Sequence, residues 1–210
     1  MDHWLLPLFP LSVVLLPSTP LPLHIFEERY KQMMKQIIPS KGEFGVVLAK
    51  EQGIINIGCS ATVLQVLKEY PDGRLDLVAI GQRRFRIVSV EEDKPYLQGN
   101  VDFFEDPVDE DVPEELKQRA VNAYETLRAA DPQSVPFEPL LTSPRLSFQL
   151  GQFVADLDMR QALLSMSSEI DRLKYFISIL PRYIATRERI ALAKRVAPRN
   201  GHAAGVKETE

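Results

Sequence analysis

Leu21-Pro22-Leu23-His24-Ile25-Phe26-Glu27-Glu28-Arg29-Tyr30 decides how this chain is read. Pro20 and Pro22 fix φ and push the residues before them into extended geometry. From Ile25 the period changes. Phe26, Tyr30, Met33, Met34, Ile37 and Ile38 recur every three or four positions, the apolar stripe of a helix. Glu27 and Glu28 in its first turn and Lys35 in its last suit the helix dipole. Pro39, Ser40 and Gly42 then stop it. The stripe carries two aromatics and two methionines inward. Each is worth ~1.5–3 kcal/mol when buried, so this helix is expected to plug an N-terminal core.

Upstream, Leu6, Leu8, Leu11, Val13, Val14 and Leu15 alternate with Pro7, Pro10 and Pro17. Proline belongs on sheet edges and at bulges, so residues 5–16 read as edge strands or extended segments. Downstream, strands are expected over 43–50 and 54–68, then after a Pro71-Asp72-Gly73 turn at Leu75–Ile80. Gly81-Gln82 punctuates, Phe85–Val88 starts another strand, and Tyr96–Phe104 gives the last. Short strands at this spacing predict a strongly bent antiparallel sheet or partial barrel from about residue 5 to 105.

Residues 102–115 hold eight acidic side chains and no basic one. Their spacing does not fit a calcium loop, and the stretch reads as a solvated linker. The chain then turns helical. Leu116–Leu127 make a stripe that ends at Asp131-Pro132. Ser143-Pro144 has the form of a helix start, followed by Leu146, Leu150, Phe153, Val154 and Leu157. Asp158 with Gln161, and more weakly Ser168 with Asp171, read as capping pairs. The last helix, from Ile170, is expected to kink or break at Pro181. Residues 181–199 carry a net charge of +5, read as a solvated helix face resting near the acidic linker. The polar segment from Pro198 reads as a disordered tail.

At 210 residues, 45% apolar and 26% charged, the chain can build a sizeable core. A net charge of −4 argues against a general nucleic-acid binder. The single cysteine, Cys59, excludes an internal disulfide and suggests a cytoplasmic protein. No apolar run is long enough to span a bilayer, and Asp2 and His3 stand where a signal peptide would be basic.

The search for catalytic chemistry yields little. Gly53…Gly58-Cys59-Ser60 has the glycines of a phosphate loop without its lysine, and reads as strand bends. His24 with Glu27 and Glu28 is too few ligands for zinc. Cys59 lies among strand residues and reads as a small buried hydrophobe. In Arg83-Arg84-Phe85-Arg86, alternation puts Arg84 and Arg86 on one face and Arg83 and Phe85 on the other, so only part of the charge converges. No cofactor or metal site is expected.

The ordered series Leu6-Pro7-Leu8-Phe9-Pro10-Leu11, Leu15-Leu16-Pro17, Pro22 to Tyr30, Phe44-Gly45-Val46-Val47, Ile57-Gly58, Asp72-Gly73-Arg74 and Gly81 to Ile87 resembles the N-terminal substrate-binding domain of Lon proteases. Gln161-Ala162-Leu163-Leu164 and Asp171-Arg172-Leu173 are similar to that family's helical subdomain. The resemblance spans about 5–180 and implies an α+β fold. A bent antiparallel β pseudo-barrel of PUA-like topology, with one helix, would fill 1–105. An acidic linker at 106–112, a helical bundle over 113–197 and a tail at 198–210 would follow. It implies binding of unfolded or damaged polypeptide, with a protease or chaperone as a candidate partner. The chain ends before the family's ATPase and peptidase regions would begin, so proteolysis is not carried over and no enzyme is expected.

Three functions follow. The first is a non-catalytic module that binds exposed apolar segments along a sheet edge, with Phe26, Tyr30, Phe103 and Phe104 as the candidate peptide-binding residues. The second is an RNA-binding module, as in other PUA-like folds. The third is a small-molecule protein using the cleft between sheet and bundle.

Overall fold

The computed structural model describes residues 4–107, 110–130 and 136–196. In chain order the elements are β1 (Trp4–Leu11), β2 (Pro20–Ile25), α1 (Glu28–Ser40), β3 (Phe44–Lys50), β4 (Gly53–Ile54), β5 (Ile57–Glu69), β6 (Leu75–Glu91) and β7 (Gln98–Phe104). Then come α2 (Glu114–Ala129), α3 (Leu146–Gly151), α4 (Leu157–Ser165) and α5 (Glu169–Val196). The expected α+β architecture is present. Strands run in the order β1-β7-β6-β5-β3, and β1 also pairs with β3, which closes the ring. That closing pair is parallel and the other ladders are antiparallel.

β1 is a central strand, against the edge expected for a proline-rich segment. Its first half pairs with β7 and its second half with β3. The Leu8 amide donates to the Leu97 carbonyl on the β7 side. Amides alternate along a strand. Pro10 therefore turns its donor-less nitrogen to that side beyond the β7 ladder, and Pro7 turns to the β3 side before that ladder begins. Both prolines cost the sheet no bond.

β6 is one strand of 17 residues and runs through Gly81-Gln82. Its near half, Leu75–Ile80, lies between β2 and β5, and its far half pairs with β7. At the changeover the 16–19 segment docks, with Ser18 donating to the Gly81 carbonyl and Gly81 to that of Thr19. A Cβ on Gly81 would sit 2.2 Å from the Leu16 carbonyl oxygen, so only glycine admits this approach. β2, β6 and the far part of β5 thus form a three-stranded flap beyond the closed ring.

α1 covers the inner face of the flap and drives Tyr30, Met33, Met34 and Ile37 into the main core. It runs past Pro39 to Ser40. Lys41 then takes a left-handed conformation, while the Lys41 and Gly42 amides close on the Ile38 and Ile37 carbonyls. Phe26 lies ahead of α1 and is 59% exposed, whereas the periodicity put it inside.

The helical half has its own core, built on Leu116, Tyr124, Leu150, Leu173, Phe176 and Leu180. The helix expected to follow Ser143 ends early, as α3 at Gly151, and the short helix expected to carry Ala162 and Leu163 is α4. The cap of α4 is Asp156, whose carboxylate accepts the Met159 amide, not Asp158. Ser168 caps α5 as expected, accepting the Asp171 amide at 3.0 Å. Pro181 does not break α5, which continues to Val196. The predicted end of α2 at Asp131-Pro132 and the tail from 198 lie outside the described residues.

Candidate functional site

Two features combine the residues with most chemical character. The first is the joint between sheet and bundle. Asp106 follows β7 and receives Arg84 of β6 at 2.5 Å and Arg172 of α5 at 2.8 Å on one oxygen, with Arg172 also on the other. Arg172 donates to Glu169 at 2.6 Å and to the Ser147 hydroxyl at 2.8 Å. Ser147 in turn gives Glu169 both its amide and its hydroxyl. Arg84 also donates to the Met166 carbonyl, and its guanidinium lies over the Phe104 ring at 4.6 Å. Phe148 sits under Arg172 at 4.3 Å. Arg172 is 0% and Arg84 4% exposed, so two buried cations face two carboxylates in a fully bonded network.

Residues of the acidic stretch are therefore part of the fold and not a solvated linker. Asp106 is the keystone of the joint. Glu110 accepts the Ser168 hydroxyl and the Glu169 amide at the start of α5, where the helix dipole favours a carboxylate.

Burial works to raise the Asp106 pKa, but Arg172 and Arg84 override it and hold the carboxyl below its ordinary value. Burial raises Glu169, and its bonds to Ser147 and Arg172 offset this only in part. The two have opposite signs in pH-dependent stability. The Asp106 contribution is complete above an unfolded-state pKa of about 3.9 and is lost as pH falls through the lower folded value. Glu169, with a raised folded value, favours the folded state as pH falls toward it. Urea midpoints across the acid range are expected to fall less steeply below about pH 4 in Asp106→Asn than in the natural chain. Equal slopes would show that Asp106 does not carry acid sensitivity.

The second feature is the flap. β3 pairs with β5 only at Cys59–Ala61, so beyond Ala61 the outer side of β5 has no ladder partner among the described residues. Bulges between Val63 and Gln65 and between Val66 and Lys68 set Leu64 and Leu67 apart as unpaired extra residues. They are 63% and 58% exposed, with Val66 beside them. The opposite edge of the flap, β2, is blunted by Pro20 and Pro22. At the tip, His24 stacks on Phe26 with centroids 5.9 Å apart and meets Tyr70 edge-on at 6.1 Å. Asp76 holds both, with His24 Nδ1 at 2.5 Å and the Tyr70 hydroxyl donating at 2.8 Å. The hydrogen bonds from His24 and Tyr70 lower the Asp76 pKa.

The four residues predicted from sequence to bind peptide are not brought together. Phe26 is exposed at the flap tip. Tyr30 is buried against Phe9, rings 4.2 Å apart. Phe103 and Phe104 are half-buried on β7, opposite Phe85 and Arg84. Arg84 lies nine positions along β6 from Leu75, which is beside Phe26, or about 30 Å along the strand. Phe103 meets Trp4 at 6.2 Å and lies 3.6 Å under the Arg83 guanidinium. The alternation expected of Arg83 to Arg86 holds, but the helices cover the Arg84 face. Trp4, 60% exposed, and the β5 edge escaped sequence reading: a lone tryptophan has no period, and nothing in a strand's sequence says whether its outer side is paired.

Cys59 is buried, its thiol pushed up to about 12 chiefly by burial, so it offers no thiolate at neutral pH. Among the described residues no group of three or more His, Cys, Asp or Glu side chains is placed to hold a metal, and no helix is long and apolar enough to cross a membrane.

The model of the ATP-dependent protease La (LON) substrate-binding domain matches residues 5–182, and the chain belongs to this family. The Lon protease of Parabacteroides distasonis is 32% identical over 110 residues, which is 48% of this chain and 13% of that protein. The Lon protease of Cytophaga hutchinsonii is 23% identical over 205 residues, 87% of this chain and 25% of that protein. The chain thus spans a quarter or less of these relatives. The crystal structure of a Lon N-terminal domain protein from Xanthomonas campestris superimposes with a TM-score of 0.68 at 25% identity, covering 83% of this chain and 98% of that one. The N-terminal domain of Mycobacterium avium complex Lon protease shares the fold, with a TM-score of 0.62 at 18% identity over 85% of this chain and 98% of that one.

Proposed function

We propose that this LON substrate-binding family member is a non-catalytic polypeptide-binding module that takes extended, apolar segments of unfolded or partly folded clients along the outer edge of β5. The observation that carries this reading is a strand edge with no ladder partner among the described residues and with exposed Leu64, Val66 and Leu67. Unpaired amides and carbonyls supply main-chain hydrogen bonds to an added strand, and neighbouring apolar side chains supply preference. The two bulges interrupt the edge, so a client engages a short segment and the edge resists pairing with long strands. Phe26 and Tyr70 extend the apolar surface across the tip. Tyr30 braces the flap from within, while Phe103 and Phe104 serve the far end of the sheet.

Fluorescence anisotropy of one labelled model protein, presented unfolded and folded, tests this reading. Binding of the unfolded form alone, tolerant of salt, is expected. Leu64→Asp with Leu67→Asp is expected to weaken it by about 1–3 kcal/mol, roughly fivefold or more, without lowering the melting temperature, because both side chains are exposed. Unchanged affinity in that variant would remove the edge as the binding surface.

A further inference from the structure

Arg182, Tyr183, Thr186, Arg187 and Ile190 of α5 fall at i, i+1, i+4, i+5 and i+8, so they share one face of the helix. Across from that face stand Ala155, Asp156 and Met159, at the start of α4. Between the two walls is a cleft of about 680 Å³, within the size range of small-molecule sites. Its lining includes no residue of the joint or the flap.

Both walls are fixed by hydrogen bonds. The buried Tyr183 donates its hydroxyl oxygen as acceptor to the Ala155 amide at 2.8 Å, which ties α5 to the opposite wall. Arg160 donates to the Gln152 and Val154 carbonyls just ahead of Ala155, and no carboxylate bonds to it among the described residues. Asp156 is committed as the cap of α4, accepting the Met159 amide at 2.9 Å. The Thr186 hydroxyl donates to the Arg182 carbonyl at 2.9 Å. The cationic donors of the lining are therefore Arg182 and Arg187, the latter with its guanidinium 5.9 Å over the Tyr183 ring. At 1.5 Å per residue they lie about 20 and 27 Å along the axis from Glu169. The expectation that this basic end rests near the acidic linker is not met, and screening over about 8 Å at physiological salt keeps the acidic stretch from neutralising it. The rest of the lining is apolar: Ala155, the Tyr183 ring, the pliable Met159, and Ile190, which is 51% exposed.

We infer that this cleft binds a small monoanion made of a carboxylate and an apolar chain, with the carboxylate on Arg182 and Arg187 and the chain against Met159, Tyr183 and Ile190. The forked donors of a guanidinium match a carboxylate. Two guanidiniums against one carboxylate leave the lining a single positive charge in excess, which suits one negative charge. Asp156 on the facing wall disfavours a dianion such as phosphate. The helices α4 and α5 bond their backbones internally, so the cleft offers a polypeptide no strand edge. A free ligand fits it better than a chain terminus. The inference does not depend on client binding at the flap.

An NMR titration of the isotope-labelled full chain with octanoate tests it. Saturable shifts confined to Ala155–Met159 and Arg182–Ile190 are expected. The neutral octanamide, inorganic phosphate and the variant R182Q/R187Q with octanoate are each expected to bind at least about tenfold more weakly than octanoate binds the natural chain. Ile190→Asp is expected to weaken octanoate as well, since it places a carboxylate on the apolar wall. Circular dichroism melts check that the variants fold; should the double variant fail, R182Q replaces it. No saturable shift with octanoate, shifts outside the two walls, or equal affinity for octanamide would overturn the proposal. So would unchanged affinity in R182Q/R187Q. A short peptide with a free C-terminal leucine that binds more tightly than octanoate would assign the cleft to polypeptide C-termini and overturn it too.

Discussion

Arg172→Ala is expected to destabilise the protein by about 3–5 kcal/mol, because it breaks a buried charge network from one side. Arg172 is the only cation hydrogen-bonded to Glu169 among the described residues, and it shares Asp106 with Arg84. Its removal leaves Glu169, itself buried, with the amide and hydroxyl of Ser147 alone. It also takes the guanidinium from the Phe148 ring and a donor from the Met166 carbonyl. For a chain of this length each kcal/mol moves Tm by about 2–4 °C, so a fall on the order of 10 °C is expected. Adding Glu169→Gln removes the uncompensated charge, and the double variant should recover part of the loss. A single-variant loss below about 1 kcal/mol would mean that the joint is held by packing and that its charges are incidental.

The second large effect is expected at Phe148, on the same joint but of different origin. This ring comes from α3, in the bundle, yet it packs in the barrel core with Leu16, Phe44 and Leu164. It is 1% exposed. Truncation to alanine removes a buried aromatic and leaves a cavity, which costs about 3–5 kcal/mol. Because the ring ties one half to the other's core, its loss should also uncouple them. Calorimetry is expected to show a single transition for the natural chain and a broadened or split one for Phe148→Ala. A single sharp transition with Tm within a few degrees of the natural chain would contradict this.

How much of this was legible in the sequence varied by element. The strand-to-helix joint at Leu21–Tyr30 was readable because proline and the helical period act locally. So were the Pro71-Asp72-Gly73 turn, where Gly73 has φ +80°, and the burial of Cys59. The place of β1 was not, since proline excludes one bond on one side and the sequence does not say which side is paired. Phe26 was misplaced because the helical period was extended one turn too early. The acidic stretch looked solvated because its partners, Arg84 and Arg172, lie 22 and 66 residues from Asp106. Pro181 does not break α5: inside a long helix packed on α2 and α3, the loss of one hydrogen bond does not end the element. The candidate site was the least legible. An open strand edge is a property of what fails to pair with it, and periodicity cannot register that.

Hydrogen exchange of the full chain, with and without a permanently unfolded client protein, tests the central claim most directly. Recognition along the flap edge predicts slowed amide exchange in Thr62–Glu69, with little change in α2 to α5 and none when the same client is supplied folded. Protection confined to the bundle, or to the Trp4 and Phe103 end of the sheet, would contradict the account. So would no protection anywhere at client concentrations that saturate the anisotropy signal.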